Sequence, residues 1–260
     1  MDKASNNFDK EEIIRIEFGI REKEISNKIV VIPLPFETLF PKDIEKRLKE
    51  FEIDFEWYKV PHIMLKNYKG NLFLRRKNKK GFIMFLGRGL IDFTERIRLL
   101  CSIPKVKEIL FIGSAASLDE KIKPLEFNIP LYVVPFENVS TVYSDFINDL
   151  PIVHKTLWKR IVNLVKEEGC IFHTKLHATI PFIYMETKRF LEYLKDVGIS
   201  TIDMEVSGLF RIANHYKKKA AALLVVWDTP LFGEVRVSED LIEKTKEKTL
   251  KIALKFLDLV

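Results

Sequence analysis

The sequence predicts an α/β fold. Apolar runs of strand length alternate with segments whose apolar residues recur at helical spacing. The run AAALLVVWD at 220–228 is apolar almost to its end, as expected of a strand covered on both faces. With 47% hydrophobic residues in a chain of 260, there is enough apolar surface for one large core.

Residues 1–27 read as an N-terminal extension, within which 13–20 has the apolar content of a short strand; residues 28–260 read as a single α/β domain. The first strong strand is KIVVIP at 28–33, followed by a helix over 41–51. Strands are predicted at 71–76 and 82–87, then a helix at 90–101 and a strand at 108–113. A strand at 131–136, a helix at 153–168 and a strand at 171–178 come next. A helix at 186–197 leads to a short strand at 200–204, a helix at 205–216 and the strand at 220–228. The last helix, 238–260, has Ser238 as its N-cap and an apolar stripe through Leu250, Ala253, Leu254 and Leu257. There is no internal repeat, low-complexity tract or Gly/Ser linker.

The net charge of +6 comes from 43 Lys and Arg against 37 Asp and Glu. The basic runs RRKNKK at 75–80 and KKK at 217–219 read as a solvated turn and a helix end, and no nucleic-acid-binding motif accompanies them. No segment approaches the roughly 20 apolar residues of a membrane span, and the polar N-terminus lacks the apolar stretch of a signal peptide. Cys101 and Cys170 have no metal-site or disulfide-framework spacing. The expectation is a cytoplasmic protein that engages neither membrane nor nucleic acid. The histidines His62, His154, His173, His177 and His215 show no ligand motif. His173 and His177 share one side of a predicted strand, but no metal and no organic cofactor is expected.

The segment TIDMEVSGLFRIANHYKKKAAALLVVWDTP at 201–230 carries the most chemistry. It reads as a short strand, an Asp-Met-Glu turn, a helix, and a buried strand ending in Asp228. Two carboxylate-bearing ends are thereby set at the rim of one sheet, where ligands of open α/β sheets bind.

This segment resembles the nucleoside phosphorylase and nucleosidase superfamily, whose members carry an acidic-Met-Glu turn, a helix opening with small residues, and a strand ending in Ser-Asp or a variant. The resemblance implies a three-layer α/β/α fold around a twisted mixed sheet, and cleavage of the N-glycosidic bond of a small-molecule nucleoside. It implies that Glu205 grips the ribose hydroxyls, Met204 packs on the sugar, and Asp228 protonates the leaving base. An acid at that strand end favours a purine, which offers an imidazole nitrogen. Asp203 would address the base or sit behind Glu205. EILFIGSAASL at 108–118 is similar to the family's strand and Gly-Ser turn, with Gly113 and Ser114 near phosphate or sugar. ATIPFI at 178–183 places Phe182 as the base-stacking aromatic, and FLGRGL at 85–90 resembles a Gly-x-Gly turn.

The family's phosphate arginines are largely replaced. Thr38 stands near the first, Phe111 takes the second, and Lys69, in NYKGNL at 67–72, takes the place of one that reaches in from a neighbouring subunit. Arg88 is the candidate to compensate. Glu37, in PLPFET, lies near the glutamate with which nucleosidases activate water. The expectation leans slightly to hydrolysis, with phosphate as the alternative co-substrate. A uridine-type phosphorylase and a non-catalytic nucleoside-binding protein are the rival readings. The resemblance also implies a homo-oligomer, a dimer or a hexamer.

Overall fold

The computed structural model describes residues 9–60, 63, 69–143, 151–233 and 235–260. His62 and the first two residues of 67–72 lie outside them. In chain order the structure runs α1 (Lys10–Phe18), β1 (Lys28–Ile32), α2 (Phe36–Leu39), α3 (Ile44–Glu50), β2 (Asp54–Tyr58), β3 (Asn71–Arg76) and β4 (Lys79–Phe85). It continues with α4 (Leu90–Cys101), β5 (Glu108–Ser117), β6 (Phe127–Asn128), β7 (Val133–Pro135), α5 (Lys155–Glu167), β8 (Phe172–His173) and β9 (His177–Thr179). It closes with α6 (Lys188–Asp196), β10 (Thr201–Asp203), α7 (Val206–His215), β11 (Lys219–Asp228) and α8 (Glu239–Phe256).

The strands form one mixed sheet flanked by helices, the three-layer architecture expected. Strands β4, β1, β5 and β11 are parallel neighbours. β2 and β3 extend the sheet antiparallel beyond β4. β10 pairs antiparallel with the end of β5, and β9 and β7 follow it in parallel. The parallel centre is buried on both faces, so β1 and β11 read as continuous apolar runs.

The N-terminal extension departs from expectation. Residues 13–20 fall largely in helix α1, not a strand. Asp9 caps α1 through the Glu11 amide, Gly19 ends it with φ 74°, and Ile14 and Phe18 are buried. Apolar residues two and four apart fit either period, and the cap and the left-handed glycine select the helix. β2 and β6 were not expected from the sequence. DFEWY alternates charged and aromatic residues on a half-exposed strand, and β6 spans only two residues.

The sheet leaves a gap at its centre. β1 pairs with β5 only as far as Phe111, whereas β10 meets the same edge of β5 at Ala116 and Ser117. Between them the edge of β5 around Ser114 opens into a cleft.

Candidate active site

The cleft has a cavity volume of about 130 Å³ and is lined by Pro33, Leu34, Arg88, Ser114, Met204, Glu205, Trp227 and Asp228, among others. The strand ends predicted to converge do so, and local chemistry sets each side chain.

Asp228 is placed by a β-bulge. In the β5–β11 pairing Val226 faces Ala115 and Asp228 faces Ala116, so Trp227 is the extra residue. A bulge bends its strand and re-aims the next side chain; here Asp228 emerges from a buried strand into the cleft. Partial burial in the cleft raises its carboxyl above the usual carboxylate range.

Glu205 stands at the N-cap of α7 and is 4% exposed. Its Oε1 accepts the Gly89 N–H at 2.7 Å. Burial, and then the neighbouring Asp203 charge, push the Glu205 carboxyl up to about 8, against backbone amides of Gly89 and Met204 and the Arg88 charge. The Gly-Arg-Gly turn makes this contact possible. Gly87 and Gly89 have φ of 90° and 83°. A Cβ on Gly87 would also lie 1.9 Å from Asp92 Oδ2, so that position admits only glycine. The turn directs the Gly89 amide to Glu205 and leaves the exposed Arg88 side chain on the cleft wall.

Asp203 lines the cleft and also supports Glu205. Its Oδ2 accepts the amides of Glu205 and Val206 at 3.1 and 2.9 Å, and its Oδ1 accepts the Thr179 hydroxyl at 2.6 Å. His177 Nε2 lies 2.9 Å from the same oxygen, with His177 Nδ1 2.8 Å from Thr201 Oγ1. Asp203 therefore fixes the turn that presents Met204 and Glu205. Thr179 Oγ1 in turn accepts the Ser207 amide, and Ser207 Oγ donates to Glu137 Oε1, extending a buried polar network to Arg211.

The other sequence candidates divide. Met204 and Ser114 line the cleft. Gly113 stands outside the cleft lining, and a Cβ there would lie 2.4 Å from the Phe111 ring. Phe111 is fully buried and packs edge-on against Phe93 at 5.4 Å, so the position of a family arginine is filled by core. Phe182 is 52% exposed and stands outside the cleft lining, where its neighbour Ile183 is found. Lys69 pairs with Glu45 at 3.0 Å and lies over the Trp57 ring, away from this cleft. Glu37, in the first turn of α2, also lies outside the lining. His173 and His177 fall on separate strands, and His173 pairs with Glu126 at 2.8 Å.

Sequence reasoning missed Trp227 and Glu186. Both line the cleft, but Trp227 reads as one more apolar residue of a strand and Glu186 as the charged start of a helix.

A cleft at the switch point of a mixed sheet, lined by Ser114 of β5, the Asp-Met-Glu turn and the strand-end Asp228, is the place where open α/β sheets bind small molecules. The family model of the phosphorylase superfamily matches residues 63–258, and the chain belongs to that superfamily. It is 22% identical over 236 residues to the DeoD-type purine nucleoside phosphorylase of Clostridium novyi, covering 91% of this chain and 96% of that one. It is 25% identical over 181 residues to the DeoD-type enzyme of Colwellia psychrerythraea, covering 67% and 77% of the two chains. Its fold is similar to that of Toxoplasma gondii purine nucleoside phosphorylase in complex with immucillin-H, with a TM-score of 0.73, 17% identity and 92% of each chain covered. It is also similar to that of AMP nucleosidase from Bacteroides thetaiotaomicron, with a TM-score of 0.70, 16% identity and 96% and 97% covered.

Proposed function

We propose that the protein cleaves the N-glycosidic bond of a purine nucleoside, releasing the free base, with water as the attacking group. The observation that carries this reading is the convergence of Asp228, Glu205, Met204 and Ser114 on one cleft. As the bond from C1′ to the base breaks, its electron pair passes to the purine, and Asp228 gives its proton to the imidazole nitrogen. The raised Asp228 carboxyl supports that role, because a general acid must hold its proton near the working pH. Glu205 engages the ribose hydroxyls. Its neutral form, favoured below about 8, both donates and accepts.

The lean to water rests on Phe111, a buried ring in the place of a phosphate arginine, and on Arg88 as the single basic side chain among the described residues of the lining. Water then adds through its oxygen to C1′ of the oxocarbenium-like sugar, a strong electrophile, and releases a proton to solvent, from which Asp228 regains its own, so the mechanism does not depend on Glu37. Arg88, which lines the same cleft as Ser114, is the feature that favours phosphorolysis instead. Neighbouring subunits that close each site in a homo-oligomer, with Lys69 reaching across, belong to that second reading.

Base release from purine nucleosides, with uridine as control, tests the proposal with and without phosphate. Release without phosphate is expected. Strict phosphate dependence would make Arg88 and Ser114 an anion site and turn the assignment to phosphorolysis. Binding with no release from any nucleoside would leave only the binding-protein reading.

A further inference from the structure

His177 carries no part of the mechanism above, yet it stands against Asp203. β9 and β10 run parallel, with His177 opposite Thr201 and Thr179 opposite Asp203. Residues two apart on a strand share a face, so these four side chains form a quartet on one side of the sheet. All four are buried, His177 completely. The imidazole spans the two β10 residues, with Nδ1 2.8 Å from Thr201 Oγ1 and Nε2 2.9 Å from Asp203 Oδ1.

The surrounding groups decide which ring nitrogen carries the proton. The Lys175 amide can only donate, and it donates to Asn128 Oδ1 at 3.0 Å. That fixes the Asn128 side chain, whose Nδ2 donates to Thr201 Oγ1 at 2.6 Å. Thr201 accepts there, and its own proton is free for His177 Nδ1. The ring proton therefore sits on Nε2, facing Asp203. This N–H meets Asp203 Oδ1 at a bent angle and has no hydrogen-bond partner among the described residues. Its attraction for the carboxylate survives the bend, because both groups are out of water.

Asp203 both lines the cleft and holds the amides of Glu205 and Val206. A carboxylate placed so can turn towards either. His177, which stands outside the cleft lining, draws Oδ1 back into the buried quartet and leaves Oδ2 on the two amides. We infer that His177 is a positioning residue: through Asp203 it holds the Asp-Met-Glu turn so that Glu205 meets the ribose hydroxyls. This rests on the reading of Glu205 as the ribose-binding carboxyl. Contacts made alike in substrate and transition state set KM and leave kcat unchanged, so loss of His177 acts on affinity for nucleoside and not for free base.

The full chain is titrated by calorimetry with adenosine and inosine and with their free bases, and base release is measured alongside. His177→Leu fills the space without a donor. It should weaken nucleoside binding and raise KM by about tenfold, with kcat and free-base affinity little changed. His177→Gln carries an N–H₂ at similar reach and should recover most of the loss. If His177→Leu does not fold, as read by urea denaturation, Thr201→Val removes the hydroxyl that orients the ring and carries the same expectation. Nucleoside affinity unchanged in a folded variant, an equal loss for nucleoside and free base, or no recovery in His177→Gln overturns the inference. Wild-type binding without base release removes the catalytic proposal, while the split between nucleoside and base affinity still sustains the inference. Base release with no such split does the opposite, and neither binding nor release removes both.

Discussion

Glu205 and Asp228 stand 23 positions apart in sequence and line one cleft, and their surroundings give them different work. Asp228 opens to the cleft at the end of a bulged strand, where a proton can leave it for a base. Asp228→Asn keeps the shape and removes the proton; base release should fall by about 10²–10⁴-fold while nucleoside binding persists. Full activity in that variant on every nucleoside tested would refute the acid assignment. Glu205 is enclosed, and its raised carboxyl has a consequence for stability. In the unfolded chain the group ionises near its ordinary value of 4.5, whereas burial in the folded protein pushes it up to about 8. Between those values the native state holds a proton that the unfolded state has lost. Its contribution is therefore complete below the lower value and disappears as pH rises through the upper one. Urea denaturation of the wild type and of Glu205→Gln should show the gap between them changing across that window. A constant gap would mean that Glu205 is ionised throughout.

At the scale of elements, the cleft depends on backbone close approaches that fix the strands and turns around it. Gly113 lies in regular β5, and its missing Cβ makes room for the Phe111 ring. Gly113→Ala should cost about 1–3 kcal/mol by overpacking, and the smaller side chain in Phe111→Leu should recover part of that loss in the double variant. Additive losses would show that the two residues do not share the space. The Asp203 turn depends on Thr179, whose hydroxyl bridges Asp203 and the Ser207 amide. Thr179→Val removes the acceptor of the buried Ser207 amide and one of the donors to Asp203 Oδ1, which keeps His177 Nε2. It should destabilise by about 1–3 kcal/mol and lower base release by loosening Glu205; activity unchanged at that loss of stability would separate the turn from the site. The strand and helix order was legible because long buried strands and long amphipathic helices carry strong periodic signals. β6 and the bulge at Trp227 were not, since a two-residue pairing and a register shift exist only in relation to partner strands.

Across the whole molecule, the N-terminal extension joins the main core. Ile14, Phe18, Ile20 and Ile25 pack with residues of β1, β5 and β11, and Asn71 on β3 donates to the Phe18 carbonyl at 3.0 Å. Phe18→Ala should cost about 3–5 kcal/mol and leave nucleoside affinity unchanged, because Phe18 lies outside the cleft lining. A loss below about 1 kcal/mol in urea unfolding would show that α1 is peripheral to the fold.

The sequence by itself determined the α/β alternation, the family, and the carboxylates Asp228 and Glu205, because each is written in a contiguous pattern of residue type and spacing. It could not show the hydrogen bonds by which Asp203 supports the Glu205 turn, nor place Glu186 in one cleft with Asp228. It also could not show that Gly113 and Phe182 stand outside the cleft lining of their own chain. Those outcomes depend on which side chains face one another across strands and turns distant in sequence. A carboxylate is the same residue whether it holds a turn or meets a substrate, and the difference lies in the amides, hydroxyls and charges that tertiary packing brings within reach of it.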